Sequence, residues 1–213
     1  PEILTLRGGL VIDLSFVLGV VGTMLAFALF VCTAMIYACL RFLREWHSPL
    51  TVVNYILMGG ASGFTLAAFY AALAAPSQTN FFVSWAILIT FLAFAGRSAS
   101  LARNARLKPK STIQTAIGMK HPYIVQRSMG SMGGSFNTRE FFHGKSAAFL
   151  RTIKPAFLIF AFVAPLMLLA PFTSSPVLLG IAFLLQYLGL LAERWFFFAQ
   201  ANHPQNLYYQ TIG

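Results

Sequence analysis

From Leu14 to Leu40 the chain carries no charged residue. Wound into a helix at about 1.5 Å per residue, a run of this length exceeds the roughly 30 Å hydrocarbon core of a bilayer, so it reads as a membrane span with residues to spare. The span is placed at about Leu10 to Leu40, and the surplus is taken up by tilt or by projection beyond the headgroups. Composition points the same way. Hydrophobic residues make up 58% of the chain and charged residues only 9%, against an apolar share of about 45–50% in soluble domains. Asp13, at the start of the run, reads as an interfacial carboxylate, with a proton-path group as the sharper alternative.

Four more apolar stretches follow. After a short loop over residues 41–50, with Arg41, Arg44, Trp46 and His47, Pro49 breaks the helical pattern and a second span runs from about Thr51 to Leu73. Gly59 and Gly63 give it a small-xxx-small face for close approach of another helix, with Gly60 beside them, and Asn54 near its start needs a polar partner. Pro76, Ser77 and Asn80 mark a turn before a third span from about Phe81 to Ala95, which Arg97 extends by snorkelling. The fourth span, about Pro155 to Phe172, opens on a proline tolerated in a first turn and is expected to kink at Pro165. The fifth, about Val177 to Phe198, ends with Glu193 and Arg194 beside Trp195, Phe196, Phe197 and Phe198, the pattern of an aromatic interfacial belt. The expected fold is all-α, a polytopic bundle of about five transmembrane helices.

Between the third and fourth spans lies the one long polar segment, residues 97–154, with eleven of the fifteen Lys and Arg residues against a single acid, Glu140. The chain therefore divides into three spans over 1–96, a basic loop over 97–154, two spans over 155–200 and a tail over 201–213. Five spans put the 41–50 loop, the long loop and the C-terminus on one face, which receives fourteen Lys and Arg residues while Arg7 alone falls on the other. By the positive-inside rule the basic face is cytoplasmic, in a bacterial inner membrane. The formal net charge of +10 thus belongs to membrane-flanking segments drawn to anionic lipid, and nucleic acid is not an expected partner. A loop of this length is more than a connection, and Gly118, Gly130, Gly133 and Gly134 point to specific turns in it. The alternative is a flexible linker that binds headgroups. The chain opens on Pro1 and not on Met, so further helices are expected upstream.

No catalytic or metal-ligating residue is expected. His47, His121, His143 and His203 all fall in loops or the tail, so the spans offer no pair of axial histidines for haem, and the two cysteines, Cys32 and Cys39, are too few for an iron–sulfur cluster. Seven residues apart on one helix face, they read as ordinary core or lipid-facing positions. His-Glu-x-x-His, Gly-x-Ser-x-Gly and Walker patterns are absent, and MGSMGG reads as turn geometry. What remains is a gathering of hydrogen-bonding groups at the cytoplasmic ends of the spans: Tyr37, Arg41, Trp46, His47, Asn54, Arg97, Glu193 and Arg194. Groups of this kind suit an amphipathic quinone, menaquinone or ubiquinone, whose carbonyls need donors and whose redox cycle moves protons. Tyr37 lies one helical turn before Arg41, so both can face one pocket. Taken singly, each is also a common interfacial anchor.

The run MIYACLRFLREWHSPLTVVNYILMGGASG, the loop pieces LKPKSTIQTAIGMKHP and MGSMGGSFNTREFFHG, and the ending AERWFFFAQANHPQNLYYQTI together resemble the membrane anchor subunits of dimethyl sulfoxide reductase-type complexes. The likeness is strongest to the branch attached to cytoplasmic sulfite-oxidising molybdoenzymes, and the loop pieces are its more specific part. It implies a haem-free anchor in a three-subunit complex, together with a molybdopterin catalytic subunit and a ferredoxin-like subunit that holds several iron–sulfur clusters. Such an anchor exchanges electrons with quinone at the membrane, and no cofactor is covalently bound to it. Family members usually have about eight spans, and the quinone-site histidine of the family lies in the upstream part, so it maps to no position here. Tyr37 is the matching position carried over as a quinone contact. The resemblance also makes Arg127 and the stretch to Gly144 formed by Phe136, Asn137, Thr138, Arg139, Glu140, Phe141, Phe142 and His143 the expected dock for the iron–sulfur subunit. The function it implies is electron transfer from sulfite oxidation to quinone. Quinol oxidation coupled to reduction of dimethyl sulfoxide or a similar acceptor is the alternative in the same class, and a small transporter or a purely structural tether are the alternatives outside it.

Overall fold

The computed structural model describes residues 2–5, 11–108, 112, 114, 115, 118–124, 145–171 and 174–201. The chain starts with a short antiparallel hairpin, β1 (Glu2–Thr5) and β2 (Val11–Asp13), in a register that sets Leu4 against Ile12 and Thr5 against Val11. The apolar run hides this hairpin at the sequence level. Asp13 then ends the strand and starts α1 (Leu14–Ala38), because its Oδ1 accepts the Phe16 N–H at 2.7 Å and satisfies a backbone donor the helix would leave open. The first span therefore begins at Leu14, not near Leu10, and Asp13 serves as its cap.

Ser48 caps α2 (Pro49–Ala74) through the Leu50 N–H, with Pro49 in the first turn where a missing donor costs nothing. A single 3₁₀ turn over Pro76–Gln78 leads into α3 (Thr79–Ala105). This helix continues well past Ala95. Arg97 does not snorkel at its end but lies buried within it, and Arg103 sits in its last turn.

The fourth span starts earlier than Pro155. Ser146 caps α4 (Ala147–Leu158) through the Phe149 N–H, which places Pro155 inside a helix that already carries Arg151 and Lys154 on its exposed side. The helix widens into a π segment over Ile159–Val163, where the Ala164 N–H reaches back five residues to Ile159, and resumes as α5 (Ala164–Leu169). Pro165 supplies the reason. It has no N–H to give to the turn below, and a wide turn just before it absorbs the misfit, so the irregularity expected at the proline falls one turn ahead of it. α6 (Pro176–Ala199) completes five helical spans long and apolar enough to cross a membrane.

Helices in a bilayer gain little from exchanging lipid for one another, so close packing relies on small residues and polar clamps. Ala61, Ala68 and Ala71 of α2 and Ala86 and Ala93 of α3 are buried in this way. Gln186 of α6 donates to Thr90 of α3 at 3.1 Å, and Asn54 of α2 donates to Ser100 of α3 at 2.7 Å, the polar partner that Asn54 requires. Gly189 of α6 lies directly on the backbone of Phe160 and Ala161 in the π segment, where any β-carbon would collide with it. Gly59 receives the ring of Phe30 from α1 and Gly60 faces Ile89 of α3, whereas Gly63 faces open space.

Candidate functional site

The ends of α1, α3 and α6 and the start of α2 meet at one end of the bundle, and the 39–48 loop is tied down across them. The Nη2 of Arg103 donates to Arg44 O at 3.0 Å and to His47 O at 3.2 Å, Asn104 reaches Glu45 O, and Trp46 Nε1 donates to Phe197 O at 2.9 Å. Thr51 closes the loop by donating to Trp46 O at 2.6 Å. His47 Nδ1 stands 2.6 Å from Ala38 O, an acceptor left over at the end of α1, so this nitrogen carries the proton. Beneath the loop, Tyr37, Trp46, Tyr55, Phe197 and Phe198 form an aromatic cluster with ring centroids 5.3–6.0 Å apart.

Inside that lid lies a buried ion triad. Glu193, with no exposed surface, pairs with Arg97 Nε at 2.7 Å and with Arg194 Nη2 at 2.6 Å. Arg97 is 2% exposed and stands over the Phe157 ring, while Arg194 lies 4.2 Å over the Tyr55 ring and 4.6 Å over that of Phe197. One carboxylate thus serves two guanidinium groups, and aromatic faces take up part of the surplus positive charge. The triad sits roughly 9–12 Å in from the helix ends, counting from Ala199 and Ala105 at about 1.5 Å per residue.

Arg194 also borders a cleft of about 340 Å³ between α1, α2 and α6, walled by Leu29, Phe30, Met58, Gly59 and Leu190, with Thr33, Tyr55 and Arg194 toward the loop end and Ser62 deeper. The buried Nη1 of Arg194 has no hydrogen-bond partner among the described residues. Behind Tyr55, Met58 and Arg194, which line both spaces, is a separate gap of about 10 Å³ among polar side chains.

The family model for the DMSO reductase anchor subunit (DmsC) matches residues 5–209. The chain belongs to this family. It is 53% identical over 204 residues to the C-type subunit of the sulfite dehydrogenase of Allochromatium vinosum, an alignment that covers 95% of this chain and 63% of that protein. The chain thus spans less than two thirds of the length of the curated relative it matches. No solved structure matches it.

In this anchor the residues singled out from sequence part company. Tyr37, Trp46 and Asn54 come together around the loop end, Tyr37 and Trp46 half-buried in the aromatic cluster and Asn54 buried at 4% exposure. Arg41 and His47 are exposed. α1 ends at Ala38, so the helical spacing that would carry Arg41 back over Tyr37 no longer applies. Arg97, Glu193 and Arg194 do gather, as a buried triad and not as snorkelling or belt residues. Of the cleft residues, Tyr55, Thr33 and Ser62 are not marked out by the sequence reading. Tyr55 stands one turn after Thr51 and one turn before Gly59, a spacing that puts all three on one side of α2. The expected dock, Arg127 and Phe136, Asn137, Thr138, Arg139, Glu140, Phe141, Phe142 and His143, lies outside the described residues.

Proposed function

We propose that this anchor is the quinone-reactive membrane subunit of a sulfite-oxidising molybdoenzyme complex. It passes electrons between a ferredoxin-like iron–sulfur subunit and the quinone pool, while sulfite is oxidised at a molybdopterin subunit. Quinone is a substrate here, held in the cleft between α1, α2 and α6. The observation that carries the reading is the union, in one cleft, of an apolar bilayer-depth wall with a buried guanidinium N–H left without an acceptor. An isoprenoid tail fits the wall formed by Leu29, Phe30 and Leu190, and a quinone carbonyl supplies the acceptor that Arg194 Nη1 lacks. Family membership and the likeness to a sulfite dehydrogenase subunit support the choice of complex.

The basic loop end, with Arg41, Arg44, Arg103 and Arg106, faces the cytoplasm on this reading, as the positive-inside rule directs. The iron–sulfur subunit docks there, over the loop residues from Phe136 to His143. A cluster in that position lies close to a quinone head at the depth of Arg194.

A photoreactive quinone tests the site in membranes holding the whole complex. Labelling is expected on peptides containing Tyr55 or Arg194. Arg194→Lys keeps the charge that Glu193 requires but removes the free N–H, so the quinone KM should rise about tenfold, the worth of one charge-assisted hydrogen bond. Labelling confined to other helices, or sulfite:quinone turnover that survives loss of this subunit, overturns the reading.

A further inference from the structure

The gap behind the cleft has a composition that a packing defect would not have. Voids left by imperfect packing are lined by apolar side chains and stay dry, whereas a space of about 10 Å³ bordered by several polar groups is the size and chemistry of a single-water site. It is bounded by Glu45 and Ser48 of the loop, by Asn54 of α2 and by Arg97, Ser100 and Arg103 of α3. Two of these, both more than nine-tenths buried, carry atoms with no hydrogen-bond partner among the described residues: Asn54 Oδ1 and Arg97 Nη2. An acceptor and a donor on opposite helices, flanking one water-sized space, are what a bridging water satisfies.

Position gives the space its use. Its outer side is the 39–48 loop, at the polar end of the bundle, and its inner side is Tyr55, Met58 and Arg194, which it shares with the cleft. The apolar walls of the cleft offer no other polar passage toward that end. Reduction of a quinone takes two electrons, here from the iron–sulfur partner, and two protons, which must come from water.

We infer that this gap is the proton inlet of the quinone site, a water held by Asn54 and Arg97 relaying protons from the loop end to the Tyr55 hydroxyl at the cleft wall. The inference rests on the quinone reading above. Each turnover places two electrons on the ring and a proton on each of the two oxygens, converting two C=O bonds to C–OH with nothing released; quinol oxidation runs the same path outward. Tyr55 gives up its proton and is recharged through the gap. Asn54, Ser100 and Arg97 are positioning residues that hold the relay water, and Asn54 and Ser100 touch no part of the cleft.

The test uses the whole complex in membranes, with sulfite oxidation by a soluble one-electron acceptor as the measure of assembly. In Asn54→Leu, and in the milder Ser100→Ala, quinone turnover should fall about tenfold, below the 10²–10⁴-fold typical of a direct acid or base. The quinone KM should stay unchanged, the solvent deuterium isotope effect should rise, and a small weak acid should restore part of the rate. Unchanged turnover in assembled Ser100→Ala, or a rise in KM without an isotope effect, overturns the inlet. Photolabelling outside the cleft, with Arg194→Lys leaving KM untouched, instead overturns the quinone reading on which it rests.

Discussion

α1 and α6 are helices of nearly equal length, 25 and 24 residues, and the more apolar of the two is the one that packs less. α1 buries only Ala34 and shows Met24, Leu25, Leu29 and Ile36 each more than 60% exposed. α6 buries Leu179, Ala182, Gln186, Gly189, Glu193 and Phe197, a stripe at three- and four-residue steps that lies against α2, α4, α5 and the π segment. In water the greasier helix would be drawn inward. In lipid it has no such preference, and the helix that finds a fixed seat is the one with a glycine that lets backbones touch and polar groups that need partners. The candidate site is built where these two kinds of helix meet: α6 brings a fixed charge and α1 closes the cleft with a side face.

Removing the charge should break this contrast most severely. Glu193→Ala leaves Arg97 buried without its counter-ion and Arg194 without its clamp, a loss of about 3–5 kcal/mol for a broken buried pair. The variant should melt far below the parent in mild detergent, or fail to accumulate. Replacing both partners, Arg97→Met with Glu193→Leu, should recover much of the stability while quinone KM stays raised, because Arg194 is no longer oriented. A double variant as unstable as the single one would mean that shape, not charge, seats α6.

Gly189→Ala comes next. Its β-carbon would fall on the Ala161 backbone, which cannot yield as a side-chain tip can, so α6 must shift from the π segment at a cost of about 1–3 kcal/mol. Gly22→Ala, on the lipid side of α1 with nothing within 4 Å of its new methyl, should leave the melting temperature the same or slightly higher. Equal losses in the two variants would abolish the distinction between the helices.

The five spans are legible in the sequence because long charge-free runs and prolines announce themselves locally. The family likeness is legible from the loop pieces and the ending. The hairpin before α1 is not, since β2 continues into the same apolar run that forms the helix. The ends of α3 and α4 are hidden for a related reason. In the sequence Arg97 and Lys154 look like markers of water, but Arg97 is buried by a partner 96 positions away along the chain, and Lys154 rides on the open side of a helix that has already begun. Nothing near Arg97 names Glu193. The stripe Thr90, Ala93, Arg97, Ser100 on α3 and the stripe Gln186, Gly189, Glu193 on α6 do hold the clue: small and polar residues at helical spacing mark faces that meet each other. By the same token Thr51, Asn54 and Met58 belong to the layer, with Tyr55 beside them at the edge of the cleft.

The smallest effect is expected at Leu25, on the outer side of α1 and 65% exposed. In a soluble protein such a residue would be a liability. In a bilayer its side chain exchanges contact with acyl chains for contact with other acyl chains, and truncation leaves no cavity because lipid flows into the space. Leu25→Ala should therefore change stability by less than about 0.5 kcal/mol, as for a surface position, in contrast to Leu179→Ala, where a fully buried side chain leaves a void costing about 2–5 kcal/mol. Melting curves of the two variants in the same detergent measure the difference directly. A loss at Leu25 approaching that at Leu179 would show the outer face of α1 packed against protein rather than lipid, and the cleft beside it would then be a closed chamber with no lateral entry for a quinone tail.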